Sequence, residues 1–213
     1  MKTNSKILRR LASLAMAFLM IFVMFPMSAF AVESGETRFD DVYPEDYYYE
    51  SVSWAAENGI AAGTGANKFF PKLACTRAQV VTFLWRTAGR HMLKQQENVF
   101  SDVESDSVYY EAIMWAVGAG VTSGTGNSTF SPNQTCTRAQ VVTFLWRAMG
   151  QPQPTTTTNP FQDVSESDYF YLPVLWAVEN GITAGMSANT FAPYSPCTRG
   201  QVVTFLYRTV VEQ

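Results

Sequence analysis

Three arginines recur at one position of a sequence pattern, and their side chains are suited to holding an acidic group. Each follows a threonine at the predicted start of a helix, and successive copies are 61 residues apart: Arg77, Arg138 and Arg199. The planar guanidinium fork can bind a carboxylate through two parallel hydrogen bonds, and the helix N-terminus adds positive potential for the same anion. A cation there is unfavourable for the helix itself, which favours ligand binding over stability as its role. An ion pair with aspartates of the fold is the structural alternative.

Residues for catalysis or metal binding are sparse. The single histidine, His91, lies between two copies of the pattern, so no Ser-His-Asp or Cys-His pair is built into it. The three cysteines occupy one equivalent position each and cannot all pair: Cys75, Cys136 and Cys197. We expect small buried thiols there, with a three-thiolate metal site as the alternative. The sequence therefore predicts a protein that is not an enzyme and that has no metal and no cofactor.

These residues belong to a unit of 61 residues that occurs three times without a gap. The copies share an opening Phe-x-Asp-Val, a tryptophan, two glycines, a Phe-x-Pro and a Cys-Thr-Arg that leads into Val-Val-Thr-Phe-Leu. The aspartates of the opening motif are Asp41, Asp102 and Asp163, and the tryptophans are Trp54, Trp115 and Trp176. Between the copies, 90–99 is largely polar and 151–160 is rich in proline and threonine, which is typical of linkers.

Each copy is predicted to form two helices joined by a loop. In the first helix, apolar residues from Val52 to Ile60 fall at i, i+3, i+4 and i+8, which predicts one buried stripe. We expect Asp46, Ser107 and Asp168 to cap this helix and Gly59 with its copies to end it. The second helix begins with a capping box of threonine and glutamine, and its body is apolar almost all round. One unit cannot bury these faces alone, so we expect three units to pack about a pseudo-threefold axis.

The first 31 residues have the composition of a secretory signal peptide. Four basic residues precede an apolar run, and small residues at Ala29 and Ala31 suit a signal peptidase, so we place cleavage after Ala31. A retained membrane anchor is the alternative for this segment. Removing four of the 15 basic residues leaves 11 against 18 acidic ones, a net charge of −7, which argues against nucleic acid as a partner. The rest of the chain has no segment long enough to span a membrane.

The order of the motifs makes the chain similar to the S-layer homology family. Phe-x-Asp-Val, the tryptophan, Gly-Ile/Val-x-x-Gly, Phe-x-Pro and Thr-Arg-Ala/Gly-Gln recur in the same order over nearly the whole mature chain. The resemblance implies an all-α, pseudo-threefold, three-pronged spindle in which one helix per repeat enters a central three-helix bundle. It also implies that the grooves between prongs bind secondary cell-wall polysaccharide, often through a pyruvylated sugar. The repeats would then span 39–89, 100–150 and 161–211.

The resemblance assigns ligand-binding roles to three sets of residues. It gives the acidic group to Arg77, Arg138 and Arg199, hydroxyl contacts to Asp41, Asp102 and Asp163, and an aromatic wall to Trp54, Trp115 and Trp176. For the aspartates, a role in a turn is the alternative, and for the tryptophans it is packing in the core. The third repeat departs from the family pattern at Met186, Ser187 and Gly200, and all three repeats have glutamine where the family usually has glutamate.

We therefore expect an exported, non-catalytic module of the bacterial cell wall or cell surface that binds an anionic secondary cell-wall polysaccharide. The alternative is a structural protein of a surface layer that acts through contacts with other surface proteins or with its own copies. A wall hydrolase is disfavoured, because one aspartate repeated three times does not supply two carboxylates with distinct environments.

Overall fold

The computed structural model describes residues 39–65, 67–91 and 97–212. The predicted signal peptide and half of the first linker, 92–96, lie outside the described residues. Within them the chain forms six helices and no strand longer than an isolated bridge: α1 Tyr49–Glu57, α2 Arg77–Thr87, α3 Tyr110–Gly118, α4 Arg138–Ala148, α5 Tyr171–Glu179 and α6 Arg199–Val210. None of these helices is both long enough and apolar enough to cross a bilayer. The predicted all-α class and the helix-loop-helix repeats are confirmed.

The second helices of the three repeats form the centre of the fold. Helices α2, α4 and α6 contact one another pairwise. Their Val-Val-Thr-Phe-Leu segments are buried on several sides, as in α2, where Val81 is fully buried and Phe83 and Leu84 are nearly so. A helix that is apolar all round requires such surroundings. The predicted central three-helix bundle is therefore confirmed.

The outer helices pack on the second helix of a different repeat. Helix α1 packs on α6, α3 packs on α2, and α5 packs on α4. Among the described helices, the two of one repeat do not pack on each other. The fold therefore closes only when the third repeat meets the first.

Two of the three kinds of helix end that the sequence predicted are confirmed: the capping box of the second helices and the glycine end of the first helices. Each second helix begins with the full capping box, as where Gln79 N donates to Thr76 and Thr76 N donates to the Gln79 side chain. Gly59 has a φ of 64°, and Gly59 N and Ile60 N donate back to Ala56 O and Ala55 O, which is a Schellman motif. Two of the three second helices, α2 and α4, end in the same way at Gly89 and Gly150.

The predicted caps of the first helices are wrong. The N-cap residues are Tyr48, Tyr109 and Phe170, none with a capping side chain. Asp46 instead accepts from Tyr43 N, and Asp168 accepts from Ser165 N, so each carboxylate closes the turn before the helix. Ser107 accepts from Tyr109 N. A short polar side chain can satisfy either a turn or a helix start, and here two further residues separate the turn from the helix.

A ring of backbone hydrogen bonds joins the three repeats next to the bundle. Cys75 N donates to Cys197 O at 2.9 Å, Cys136 N to Cys75 O at 2.8 Å, and Cys197 N to Cys136 O at 2.9 Å. Antiparallel bridges beside this ring join each repeat to the next. Each repeat donates one backbone hydrogen bond and accepts one in this ring, so the three repeats are arranged with pseudo-threefold symmetry.

Candidate functional site

The three arginines of the repeat are buried at the start of the central helices. Only 2% of Arg77 and Arg138 and 3% of Arg199 is exposed. Each Nε donates at 2.9 Å to the carbonyl of a Phe-x-Pro phenylalanine in another repeat: Arg77 to Phe130, Arg138 to Phe191, and Arg199 to Phe69. These bonds run from the first repeat to the second, the second to the third, and the third to the first. The arginines therefore connect the repeats in a closed cycle.

Each guanidinium also lies against two phenylalanine rings. The Cζ atom of Arg138 is 4.8 Å from the centre of the Phe191 ring and 5.5 Å from that of Phe205, and the other two arginines have equivalent contacts. Burial lowers the pKa of all three arginines by desolvation, although the ordinary value is high enough to keep them charged. A cation at this helix end therefore does serve stability, contrary to the expectation from the sequence, because each side chain crosses to a neighbouring repeat and bonds there.

The outer nitrogens of the three guanidinium groups differ in their partners. Arg199 Nη2 donates to Ala62 O at 2.7 Å, and Arg138 Nη2 is 3.5 Å from the Thr183 hydroxyl. Arg77 Nη2 is buried without a partner among the described residues. No described residue forms a hydrogen bond with Nη1 of any of the three. With Nε engaged, Nη1 of each arginine and Nη2 of Arg77 are the guanidinium nitrogens without a hydrogen-bond partner among the described residues.

The N-termini of the central helices have no free backbone donors in their first turn. In α2, Arg77 N donates to Gln134 O, Ala78 N donates to Pro132 O, and Gln79 N donates to its capping threonine. The same bonds recur in α4 and α6. An anion near this end could feel the helix dipole but could not accept from these N–H groups.

The three aspartates hold the Phe-x-Pro loop of their own repeat. The two oxygens of Asp41 accept from Phe69 N and Phe70 N, each at 2.8 Å. Asp102 and Asp163 accept from the two equivalent N–H groups at 2.7 to 2.8 Å. Both oxygens of each carboxylate therefore accept from the fold, through bonds to a loop 28 and 29 residues along the chain and not through the local turn that was the alternative.

The loop phenylalanine connects the arginine of one repeat to the aspartate of the next. Phe130 donates its N–H to Asp102 and accepts from Arg77 at its carbonyl. The described residues contain no salt bridge between the two sets, and the ion pair recorded among them joins Arg208 to Glu212. The ion pair that was the structural alternative is therefore not formed among the described residues, although the two sets are close neighbours.

The tryptophans of the first helices pack in the protein core. Trp115 is 7% exposed and Trp176 is 6% exposed, whereas Trp54 is half-buried and meets the Tyr207 ring edge-on at 5.6 Å. No hydrogen bond or ring contact joins the described tryptophans of this set to the arginine and aspartate sets. The packing alternative thus describes Trp115 and Trp176, and Trp54 alone keeps a partly open face.

The three thiols are fully buried and unpaired. Burial raises the pKa of Cys75 and Cys136 to about 12 and also raises the pKa of Cys197. Within the part of the chain that the structure describes, no group of three histidine, cysteine or acidic side chains is placed to hold a metal ion. The thiols are the small buried side chains that the sequence predicted.

Two cavities beside the aspartates are the concave surfaces of interest. A cavity of about 310 Å³ in the first repeat is lined by Asp41, Tyr43, Asp46, Tyr48, Phe70, Pro71, Lys72 and Leu73. A cavity of about 490 Å³ in the third repeat is lined by Asp163, Ala192, Pro193, Tyr194, Ser195 and Pro196. Their linings come from equivalent positions, 122 residues apart in the sequence. We call them the first-repeat and third-repeat cavities.

Sequence reasoning missed the exposed aromatic residues at these cavities. Tyr43 is 54% exposed, Phe70 is 42% exposed and Tyr194 is 70% exposed. None of them recurs in the other repeats, so a search for shared positions passes over them. A search for positions where the repeats differ would have found them, because each is an aromatic residue where the other copies have small or polar side chains.

Comparison with known proteins places the chain among bacterial surface proteins. The S-layer homology domain model matches residues 38–81, 99–142 and 160–203. A "Cell surface protein" of Thermoanaerobacter kivui is 32% identical over 150 residues, which is 68% of this chain and 19% of that protein. An "S-layer protein" of Bacillus thuringiensis subsp. finitimus is 26% identical over 181 residues, 84% of this chain and 22% of that protein.

The similar proteins also include proteins that are named as enzymes. An "Endoglucanase" of Bacillus sp. (strain KSM-635) is 33% identical over 122 residues, 57% of this chain and 13% of that protein. The chain thus spans about a fifth or less of the length of these relatives. Three matched segments that together cover more than half of the sequence establish that the chain belongs to the S-layer homology domain family.

Proposed function

We propose that this chain is a non-catalytic anchor that binds an anionic secondary cell-wall polysaccharide in the grooves of its closed three-repeat fold. Family membership and the surface-layer relatives indicate that it is a protein of the bacterial cell surface. The observation that carries the binding proposal is the pair of equivalent cavities, each bordered by an aspartate-held loop and by at least one exposed aromatic ring. Flat aromatic faces beside polar groups are the usual means of holding a sugar ring.

The arginines line neither cavity, and in the proposal they contribute positive charge from buried positions next to the aspartate-held loops. We first expected each guanidinium to donate two parallel hydrogen bonds to a carboxylate. Because Nε already donates to a phenylalanine carbonyl, the proposal keeps a single contact, from Nη1 to the acidic group. A buried cation in low dielectric attracts an acidic group more strongly than an exposed one does. A local cation matters because the mature chain is net negative. A pyruvylated sugar is one acidic ligand of this kind.

The aspartates and tryptophans act in the proposal by shaping the grooves. Each aspartate fixes the backbone of the loop that borders a cavity, as Asp41 does at Phe69 and Phe70. The half-buried Trp54 is the member of its set with a face left for a sugar. Rigid positioning of this kind lowers the entropic cost of binding.

Co-sedimentation with purified wall sacculi tests the proposal. The predicted mature chain, from residue 32, is mixed with sacculi before and after mild acid has removed the secondary polymer. We expect the protein to pellet with intact sacculi and to stay in solution with stripped ones. Equal pelleting with both would rule out the polymer as the ligand. Release of reducing sugar from either preparation would contradict a non-catalytic role.

A second candidate is a structural role through protein contacts, favoured by similarity to a protein named as an S-layer protein. In that case the chain assembles with its own copies or with other surface proteins. Light scattering across a concentration series separates the candidates. A monomer that still pellets with sacculi supports the anchor. Assemblies whose mass increases with protein concentration, and that do not bind the wall polymer, support the structural role.

A further inference from the structure

We infer that the first-repeat cavity is a sugar-ring subsite built by Tyr43 and Phe70, and that it gives the first repeat a higher affinity for glycan than the second. The inference rests on the proposed function and adds which repeat binds and through which side chains. It is based on the side chains that differ between the repeats at equivalent surface positions.

The two rings are exposed at a place where the fold does not require them. Tyr43 is 54% exposed and Phe70 is 42% exposed, and both line the first-repeat cavity. The second repeat has Glu104 and Ser131 at these positions, and the third has Ser165 and Ala192. Since the three repeats share one fold, aromatic side chains at these two positions serve something other than folding.

Phe70 is also held in an unusual backbone conformation. Its φ is 56°, in the left-handed region that bulky residues rarely adopt, and Ser131 and Ala192 have φ values of 59° and 58°. The Asp41 carboxylate fixes this conformation by accepting a hydrogen bond of 2.8 Å from Phe70 N. The ring is therefore presented on a rigid backbone. Preorganisation of this kind favours binding because little freedom is lost on contact.

A polar donor accompanies the two rings. Lys72 lines the same cavity, is exposed, and has no hydrogen-bond or ion-pair partner for its ammonium group among the described residues. The equivalent residues are Asn133 and Tyr194. An ammonium group can donate to sugar hydroxyls or to an acidic substituent. The cavity thus combines apolar faces with a free donor, which suits a sugar ring better than it suits a purely apolar ligand.

The size of the cavity favours a glycan segment over a protein surface. A volume of about 310 Å³ lies at the lower end of the range of small-molecule sites. A stable protein interface buries roughly 800 Å² on each partner, which a cavity of this size does not offer. We therefore assign one or two sugar rings to it. The third-repeat cavity, with Tyr194 as its exposed ring, would rank between the first and second repeats.

The test exchanges side chains between repeats. The double variant Tyr43→Ser with Phe70→Ala gives the first repeat the residues of the third and adds no charge that would repel an anionic polymer; Phe70 and Ala192 share the left-handed backbone conformation. The matched control is Tyr169→Val, which removes another exposed aromatic, one outside both cavities, and installs the residue of the second repeat. The probe is the soluble polysaccharide that mild acid releases from wall sacculi, titrated into each protein by calorimetry. Circular dichroism and light scattering check the fold and the mass of each variant.

We expect about a tenfold rise in Kd for the double variant, from the loss of two ring contacts, and less than about a twofold rise for the control. The reciprocal variant, Glu104→Tyr with Ser131→Phe, should gain affinity or a second binding event. If the double variant binds like the wild type while the wild type binds the polymer and pellets with sacculi, this inference is overturned and the proposed function stands. If the wild type binds neither, the proposed function itself fails. A double variant that changes mass but not affinity would make the rings a contact between copies and overturn the inference.

Discussion

Replacing Arg138 with alanine tests whether the buried arginines hold the three repeats together. The change removes the 2.9 Å bond from Nε to Phe191 O, leaves that carbonyl without its donor, and removes two cation-π contacts. A hydrogen bond to a charged group contributes about 1.5 to 3 kcal/mol, and each cation-π contact about 0.5 to 2 kcal/mol. Relief of the desolvation of a buried cation offsets part of this sum. We expect a net loss of about 3 kcal/mol in the free energy of unfolding.

Urea denaturation followed by tryptophan fluorescence measures this loss. The matched control is Arg147→Ala, because Arg147 donates one bond of 3.2 Å to Val121 O within its own repeat and is only half-buried. We expect the control to lose about 1 kcal/mol. Both variants should unfold in a single transition, since the closed cycle of contacts couples the repeats. A loss for Arg138→Ala that equals the control, or separate transitions for the repeats, would refute the reasoning.

Three further predictions concern the loop, the thiols and the closure of the fold. Asp102→Asn should lower the free energy of unfolding by about 2 kcal/mol, because an amide has one acceptor oxygen for two backbone donors. The control Asp106→Asn changes an exposed residue and should alter the free energy of unfolding little. Equal melting temperatures for the two variants would contradict the prediction. Burial raises the pKa of Cys75 and Cys136 to about 12, against about 8.5 in an unfolded chain. The contribution of these neutral thiols to the free energy of unfolding is therefore fully present below pH 8.5. It should then fall by about 1.4 kcal/mol per pH unit for each thiol as the pH rises toward 12; a triple Cys→Ala variant with the same slope in urea unfolding would refute this. A chain limited to 39–150 should give no cooperative melt by circular dichroism, because α1 loses α6; a sharp transition would show that two repeats suffice.

Features set by neighbouring residues could be predicted from the sequence. The capping box at Thr76 and the left-handed Gly59 depend on contacts within a few residues, so their patterns identified them correctly. The apolar body of the second helix likewise predicted a central position. The cap assigned to Asp46 failed because the same side chain satisfies a turn equally well.

Features that depend on which repeat meets which could not be predicted. Because the three repeats have nearly the same sequence, nothing local shows that α3 packs on α2 and α1 on α6. The same ambiguity hid the role of Arg77, whose acceptor, Phe130, lies in the next repeat. The cavities were hidden for a different reason, since their exposed aromatic residues are what distinguishes the repeats.

A crystal structure of the chain with a fragment of the released wall polysaccharide would show directly where the sugar binds. We predict ordered sugar beside an aspartate-held loop, with the most complete density in the first-repeat cavity against Tyr43 and Phe70. We also predict that the backbone cycle through the cysteines stays closed. Sugar bound only away from these loops, or a protein that binds the polymer after the cycle has opened, would contradict these predictions.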